Sequence, residues 1–435
     1  MASNGTTSAS AANAAASVEL PAGFGCHVGN IGIKDDTDDV MVLAADHTAA
    51  AAGVFTKSLF TGASVRLSRA NVADGRARAV VVVSKNSNVA TGDQGERDAA
   101  NLARRVAELL VCEPDHVLVG STGLIGVPYP EGKVDAYFDG LIARHDEATQ
   151  VALRAGAVPV EAGSDDACAP STVWSRDAVA AATAIMTTDT HPKTARVTIP
   201  AGDGTAAVVG IAKGSGMIEP DMATMISVIT TDAEIAPDRL DAMLRRVCDV
   251  TFNALSVDSD TSTSDMVVVL ANGVAGPVDE AELEAALGAV SLDLTRQLAF
   301  DGEGAETLIV VTVSDARDDA QAKRVAKAIV NSPLVKTAVH GRDPNWGRVA
   351  MAIGKCSDET DIDPDRIRIR FGDQEVYPTP ATPEALAELE AYLASDEVLI
   401  SVDLGVRSDG TAGSFTVYGC DLTDQYVRIN ADYTT

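Results

Sequence analysis

The chain has 435 residues, 46% of them hydrophobic and 22% charged, which is the composition of a folded globular protein of two or three packed units. The formal charge is −29, from 63 acidic and 34 basic side chains, and argues against a nucleic-acid partner because a polyanion would meet net repulsion over most of the surface. Aromatic residues make up 4% of the chain, so we expect a core of Ala, Val, Ile and Leu, which favours an α/β protein.

The chain carries few signals of targeting, redox chemistry or metal binding. Residues 1–19 are rich in Ala, Ser, Asn and Thr and lack the basic and leucine-rich regions of a signal peptide, so we expect a disordered leader. No apolar run approaches the roughly 18 residues of a membrane span. The six cysteines form no C-x-x-C pair and the histidines show no H-E-x-x-H spacing, so the sequence predicts a cytoplasmic protein without a metal site.

The first half of the chain alternates short apolar runs with helical stretches. Residues 80–83 are four consecutive valines, which is typical of a buried strand, and residues 96–111 have the apolar spacing of a helix. A strand is predicted at residues 116–119, before a turn at 120–126 in which three glycines let backbone amides approach a ligand. Residues 139–177 are polar and Ala-rich, and we expect helix and loop there.

The alternation continues through the middle of the chain. Residues 206–212 and 225–231 are predicted strands, and Pro237 starts a predicted helix. The same patterns then predict strands and helices in turn, at residues 266–270, 283–287, 307–313 and 318–330.

The last hundred or so residues are expected to form a second, smaller α/β unit. Its predicted elements are strands at residues 367–371, 398–402, 414–418 and 425–429 and a helix at residues 383–393. No repeat of fixed period is present, which disfavours a solenoid or a propeller.

Residues 213–224 (KGSGMIEPDMAT) allow two interpretations. They lack the G-K-[ST] ending of a P-loop, and one interpretation is a plain connection between strands, with glycines for turn geometry. The second starts from Thr224, at the entrance of the predicted strand 225–231. A threonine hydroxyl needs a neighbouring base to act as a nucleophile. The α-amine of Thr224, freed by cleavage after Ala223, has a reference pKa of about 7.7–8 and can accept and return a proton near neutral pH.

Residues 213–225 resemble the self-cleavage motif of the ornithine acetyltransferase (glutamate N-acetyltransferase) family, and the resemblance extends over nearly the whole chain after the leader. One matching block would be weak support, but seven in family order are strong. The six other blocks are residues 121–126 (STGLIG), 185–190 (IMTTDT), 261–265 (TSTSD), 301–305 (DGEGA), 340–348 (HGRDPNWGR) and 430–435 (NADYTT).

The resemblance implies an enzyme that cuts itself between Ala223 and Thr224 into an α chain, 1–223, and a β chain, 224–435. Thr224 would then take the acetyl group of N-acetylornithine as an ester and pass it to glutamate, a ping-pong reaction of arginine biosynthesis that needs no metal or bound cofactor. The family also implies an α2β2 or higher assembly of these chains. No P-loop or other recognisable coenzyme A cradle appears in the sequence.

The resemblance further implies an α-β-β-α core like that of N-terminal-nucleophile enzymes. We expect a disordered leader at residues 1–19, a catalytic core at 20–310 that spans the cleavage site, and a C-terminal α/β domain at 311–435.

Site residues follow from the same resemblance. The oxyanion of the tetrahedral intermediate would be held by the Thr122 hydroxyl and the Gly123 amide, the substrate carboxylate by Lys213, and the cationic end of ornithine by Glu303. The remaining implied substrate contacts are Thr187, Thr224, Asn430 and Thr435. Taken alone, these positions are typical of a turn, a solvated lysine, a surface glutamate and a frayed chain end.

Some features keep other interpretations open. Asp221 stands where the common family form has Asn, so a paralogue acting on a related N-acyl amino acid in a specialised-metabolite pathway is one alternative. Others are an N-terminal-threonine amidohydrolase or aminopeptidase and a non-enzymatic binding protein on the same scaffold. Residues 340–348 suggest a catalytic His/Asp pair or an anion site, but Trp346 between glycines better fits a packing corner between chains or domains.

Overall fold

The computed structural model describes residues 17–144, 174–219, 225–407 and 411–432. The described chain forms two β-sheets. The first sheet contains β1 (Phe24–Gly29), β2 (Val40–Phe55), β3 (Arg76–Val83), β4 (Val117–Ser121), β5 (Lys193–Ala201), β6 (Gly204–Lys213), β7 (Ile226–Glu234) and β8 (Met266–Pro277). The second contains β9 (Leu308–Ala316), β10 (Arg368–Phe371), β11 (Gln374–Tyr377), β12 (Glu397–Asp403) and β13 (Gly413–Cys420).

Most α-helices of the described ranges cover the faces of these sheets. They are α1 (Ala63–Asn71), α2 (Gly92–Leu110), α3 (Lys133–Arg144), α4 (Ala178–Ala184), α5 (Pro237–Val250), α6 (Glu280–Phe300), α7 (Asp319–Val330), α8 (Pro333–His340), α9 (Trp346–Gly354), α10 (Pro383–Tyr392) and α11 (Asp424–Asp432). Across the described residues, no helix combines the length and the apolar character that crossing a bilayer requires.

Strand β2 connects two parts of the first sheet. The strand order is β4-β3-β2-β8-β7-β6-β5, and β1 pairs with β2. β2 is 16 residues long, and it pairs with β3 before it pairs with β8 through residues 50–55. The register shifts between Ala44 and Ala49, where an irregularity lets β2 bend out of one layer and into the next.

The two ends of the first sheet fold over each other and form two layers. A Cβ on Gly120 of β4 would lie 2.9 Å from the Cε of Met266, on β8, and 3.5 Å from the Cδ1 of Ile226, on β7. In the sheet order, β8 is three strands and β7 four strands away from β4, so these contacts cross between layers. The core between the layers consists mainly of aliphatic side chains, among them Val80, Val82, Leu118, Val209, Val228 and Val268. Helices α2 and α3 pack outside one layer, and α5 and α6 outside the other. The predicted α-β-β-α core is confirmed.

The second sheet organises a smaller C-terminal unit. Its order is β11-β10-β12-β9-β13, with β12 parallel and β13 antiparallel to β9. Helices α7 to α10 share a separate apolar core with this sheet. The expected domain boundary between residues 310 and 311 falls inside β9, because this strand begins at Leu308.

The strand predicted at residues 425–429 is wrong, because these residues lie in helix α11. The hydroxyl of Thr423 accepts from the amide of Gln425 at 3.1 Å, which caps the start of the helix. The side chain of Val427 is 64% exposed, so the alternating apolar residues of this segment do not mark a sheet face.

Candidate functional site

Three strand ends meet at one edge of the core. β6 ends at Lys213, which is the antiparallel partner of Ile226 at the start of β7. The amide of Met266, where β8 begins, donates to the carbonyl of Met225 at 3.0 Å. The turn after Ser121, the last residue of β4, reaches the same edge from the other layer. The fold therefore brings distant parts of the chain together at this edge.

The turn after β4 depends on Gly123. The amide of Thr122 donates to the carbonyl of Val83 at 3.0 Å, and the chain then turns at Gly123 with φ of +131°. A Cβ on Gly123 would lie 2.5 Å from the backbone nitrogen of Asn86 and 2.6 Å from the Cα of Lys85. Because only glycine fits there, Gly123 fixes the path of the two expected oxyanion donors.

Lys213 contacts this turn directly. Its side chain is buried, and its Nζ donates to the Oγ1 of Thr122 at 3.1 Å. Because an ammonium can only donate, the hydroxyl hydrogen of Thr122 stays available for another acceptor. Burial lowers the pKa of Lys213 from its usual value, and the carboxylate of Asp189 opposes that shift.

Behind Lys213 lie Asp189, Lys193 and Asp301, which we call the buried charge cluster. Their side chains are 0%, 0% and 3% exposed. The Nζ of Lys193 lies 2.7 Å from Asp189 Oδ1 and 2.5 Å from Asp301 Oδ2. Burial raises the pKa of Asp189, but Lys213, Lys193 and the Gly214 amide outweigh it and lower that pKa to about 2. This cluster was not predicted from the sequence. The local signal for it is that Asp189 and Lys193 have opposite charges and lie four residues apart.

Glu303 contacts the residues that follow Lys213. Its amide donates to the carbonyl of Ser215 at 2.8 Å. A Cβ on Gly216 would lie 2.5 Å from the Cδ of Glu303, so this glycine leaves room for the carboxylate. The Nδ2 of Asn430, on α11, donates to Glu303 Oε2 at 2.8 Å. The end of the described chain is thereby connected to the candidate site.

A cavity of about 190 Å³ lies beside Glu303, and its lining includes Asp258, Tyr426 and Lys336. The hydroxyl of Tyr426 donates to Asp258 Oδ2 at 3.3 Å. Burial raises the pKa of Tyr426, and the charges of Asp258 and Glu303 raise it further. The Nζ of Lys336 donates to the carbonyls of Val257 and Cys420. The side of the cavity next to Glu303 is therefore acidic and suits a cationic group.

The structure describes six of the expected site residues, namely Thr122, Gly123, Thr187, Lys213, Glu303 and Asn430. Lys213 contacts Thr122, Glu303 contacts Asn430, and the amide of Thr187 donates to Asp189 Oδ2 at 3.0 Å. The predictions for Ala223, Thr224 and Thr435, and the departure at Asp221, lie outside the described residues.

Residues 340–348 form contacts in the C-terminal unit. Trp346 stacks on Tyr377 with ring centroids 5.0 Å apart, so its ring packs within this unit, and the expected packing between chains or domains stays a prediction. The Nδ1 of His340 lies 3.0 Å from Asp421 Oδ2. With Glu306 these two residues form a group of three whose possible metal-ligand atoms lie within 4.8 Å of one another, and no other group of three or more His, Cys, Asp or Glu residues in the described ranges does so. Asp421 already accepts from the amide of Glu306 at 2.8 Å through its other oxygen.

Comparisons with known proteins agree over most of the chain. A sequence model described as the ArgJ family matches residues 25–435. The glutamate N-acetyltransferase Oat2 of Streptomyces clavuligerus is 50% identical over 423 residues, 96% of this chain and 98% of that protein. The arginine biosynthesis bifunctional protein ArgJ of Rhodococcoides fascians is 46% identical over 433 residues, 99% and 98% of the two chains. The crystal structure of ArgJ from Bacillus halodurans is 43% identical and covers 48% of this chain and 100% of its own, with a TM-score of 0.45.

Proposed function

Because the chain belongs to the ArgJ family, we propose that it is a glutamate N-acetyltransferase of arginine biosynthesis that moves the acetyl group of N-acetylornithine to glutamate. The enzyme class is acyltransferase, as in the relative from Streptomyces clavuligerus. The acetyl group would rest on Thr224 between the two half-reactions.

One observation carries the residue assignment. The ammonium of Lys213 donates to Thr122 Oγ1 at 3.1 Å, and Lys213 is the strand partner of Ile226, the second residue after Thr224 in the chain. This contact supports a site in which a carboxylate-binding cation and an oxyanion donor lie at the start of β7. The acidic surroundings of Glu303 support a place for the cationic end of the same substrate.

In the first half-reaction, the hydroxyl of Thr224 attacks the acetyl carbonyl and its α-amine takes the proton. The Thr122 hydroxyl and the Gly123 amide donate to the oxyanion of the tetrahedral intermediate. When the intermediate collapses, the bond from the carbonyl carbon to the ornithine nitrogen breaks, and that nitrogen takes the proton from the α-amine. Ornithine leaves and acetyl-Thr224 remains.

In the second half-reaction, the amine of glutamate attacks the ester carbonyl, and the same oxyanion donors act again. The α-amine of Thr224 takes a proton from the attacking nitrogen and returns it to the Thr224 oxygen as the ester bond breaks, so the hydroxyl is restored and N-acetylglutamate leaves. Lys213 would hold the substrate carboxylate and Glu303 the ornithine cation, and Thr187 would be a further substrate contact. Asn430 and Thr435 would close the pocket at the C-terminal end of the chain.

Self-cleavage would precede this chemistry. The hydroxyl of Thr224 would attack the carbonyl of Ala223, and the peptide bond to the Thr224 nitrogen would break, which forms an ester and frees the α-amine that serves as base. Hydrolysis of that ester would then separate the two chains and restore the hydroxyl. We further propose an α2β2 or larger assembly in the cytoplasm, in which each precursor has a leader at residues 1–19, a catalytic core, and a C-terminal domain that begins with β9.

The test combines a denaturing gel with a transfer assay on purified protein. We expect two fragments, 1–223 and 224–435, and N-acetylglutamate formed from N-acetylornithine only when glutamate is present. Thr224→Ala should abolish both cleavage and turnover, whereas Thr379→Ala, at an exposed position, should change neither.

Other outcomes identify the alternatives. Release of acetate at a rate independent of glutamate would indicate an amidohydrolase. Turnover of other N-acyl amino acids alone would indicate a specialised paralogue. An intact chain without any turnover would indicate a binding protein, and an active Thr224→Ala variant would refute the nucleophile.

A further inference from the structure

The buried charge cluster connects the two ends of the proposed amino-acid site. At one end, Asp189 Oδ1 accepts from the amide of Gly214, the residue after Lys213, at 2.6 Å. The other oxygen of Asp189 accepts from the amide of Thr187 at 3.0 Å. A single carboxylate therefore fixes the backbone at or beside two of the residues expected to contact the substrate.

At the other end, Asp301 stands two residues before Glu303. The carboxylate of Asp301 accepts from both the amide and the hydroxyl of Thr190. Lys193 lies between Asp301 and Asp189 and contacts one oxygen of each. The cluster thus runs as an unbroken series of hydrogen bonds from the neighbourhood of Lys213 to that of Glu303.

Core stability alone is a weak reason for such a cluster. The desolvation of buried charges often offsets their attraction, and apolar side chains of similar volume are frequently as stabilising. Fixed charges in a low-dielectric interior do, however, hold their neighbours in one geometry and exert a strong local field. The cluster contacts the backbone next to Lys213 and includes a residue two positions before Glu303, and this placement connects both effects to substrate binding.

We propose that Asp189, Lys193 and Asp301 are positioning residues that set the distance between the ammonium of Lys213 and the carboxylate of Glu303. That distance selects a substrate with a carboxylate at one end and a cation at the other. The three side chains act through Lys213, Thr187 and Glu303 and do not touch the reacting atoms. The proposal rests on the acyl transfer proposed above.

Asp189 also sets the charge state of Lys213. The charged groups around Lys213 are Asp189, Lys193, Asp265 and Glu303, and the carboxylate of Asp189 exerts the largest effect among them in favour of the charged form. Replacing Asp189 by Asn removes that charge and lowers the pKa of Lys213 further. The substrate carboxylate would then lose its cationic partner at a lower pH than in the wild type.

The experiment measures kcat and KM for N-acetylornithine between about pH 6 and pH 10, with ornithine binding by calorimetry as a second readout. The variants are Asp189→Asn, Asp301→Asn and the milder Thr190→Val, which removes only the hydroxyl that donates to Asp301. Glu359→Gln is the matched control, because Glu359 accepts from Arg317 and Arg324 in an ion-pair group of the C-terminal unit.

We expect Asp301→Asn to raise KM about 10-fold or more with a smaller effect on kcat, because displaced binding groups weaken alignment of the substrate. Thr190→Val should change KM in the same direction by about 2- to 3-fold. In Asp189→Asn the rise of KM with pH should begin at a lower pH. Glu359→Gln should leave KM and the pH profile unchanged.

Two results would overturn the proposal. One is a folded Asp301→Asn or Asp189→Asn variant with wild-type KM and pH profile. The other, which decides the matter if both variants fail to fold, is an unchanged KM in Thr190→Val. If the wild type binds ornithine but transfers no acetyl group, the proposed function fails, and ornithine affinity in the same variants still tests the positioning role. A wild type that binds no ornithine refutes both.

Discussion

Lys213 and Thr122 should act as one unit in catalysis, and a double-mutant cycle can measure their coupling. Lys213→Met removes the ammonium and keeps most of the volume, and Thr122→Val removes the hydroxyl and keeps the shape. Loss of one oxyanion donor lowers kcat by about 10²–10³. The ammonium of Lys213 donates to Thr122 Oγ1 at 3.1 Å and so leaves the hydroxyl hydrogen for the oxyanion. We therefore expect Lys213→Met to lower kcat as well as raise KM.

The coupling can be estimated from the same contact. A hydrogen bond to a charged group contributes about 1.5–3 kcal/mol. In the Lys213→Met background the hydroxyl of Thr122 is no longer oriented, so Thr122→Val should then lower kcat by only about 10-fold. The interaction energy is the effect of Thr122→Val in the wild type minus its effect in the Lys213→Met background, both expressed as free energies of activation. We expect it to be about 1.5–3 kcal/mol.

The assay is the initial rate of N-acetylglutamate formation by the four proteins of the cycle. Lys355→Met is the control, because Lys355 is an exposed lysine of the C-terminal unit. If the two effects add in free energy to within about 0.5 kcal/mol, the two residues act independently and the reasoning is refuted.

Three further predictions concern the turn, the pocket wall and the charge states. Gly123→Ala should lower kcat by about 10²-fold, because its Cβ would lie 2.5 Å from the nitrogen of Asn86. Gly140→Ala, in helix α3 and with nothing within 4 Å of the added Cβ, should keep the wild-type rate, and equal initial rates of the two variants would contradict the clash. Asn430→Ala should raise KM for N-acetylornithine by a few-fold through loss of the contact with Glu303, whereas an unchanged KM would remove Asn430 from the pocket. The pKa of Asp189 in the folded state is about 2, against an ordinary value of 3.8. The ionised carboxylate therefore contributes about 2 kcal/mol to the free energy of unfolding above pH 4, and this contribution is lost as the pH falls toward 2. The free energies of unfolding of the wild type and of Asp189→Asn, measured in urea, should therefore converge as the pH is lowered. A difference between them that stays constant down to about pH 2 would contradict this.

Local patterns in the sequence predicted the elements whose own residues decide their structure. The valine run of β3 and the apolar spacing of α2 are of this kind. β2 was missed because it is rich in alanine and carries Asp46 and His47 in its middle, so neither composition nor alternation marks it. Its conformation is set by pairing with β3 and β8.

In the candidate site, too, local motifs predicted individual residues but not the long-range contacts between them. Thr122, Lys213 and Glu303 were named from motif blocks, but the contact between Lys213 and Thr122 joins residues 91 apart in sequence. Lys193 and Asp301, 108 residues apart, meet only because β5 and the end of α6 pack together. Such pairs depend on the stacking of layers, which no local pattern in one sequence encodes.

The strand order of the first sheet has a consequence for a cleaved enzyme. If the chain is cut before Thr224, β7 and β8 belong to the second fragment, yet they lie between β2 and β6 of the first. Six residue pairs hold them on each side. The fragments are therefore interleaved, and they can separate only if the sheet opens at two places at once. Cleavage would thus convert one cooperative folding unit into a two-component one, whose recovery after unfolding depends on protein concentration and on the simultaneous folding of both partners.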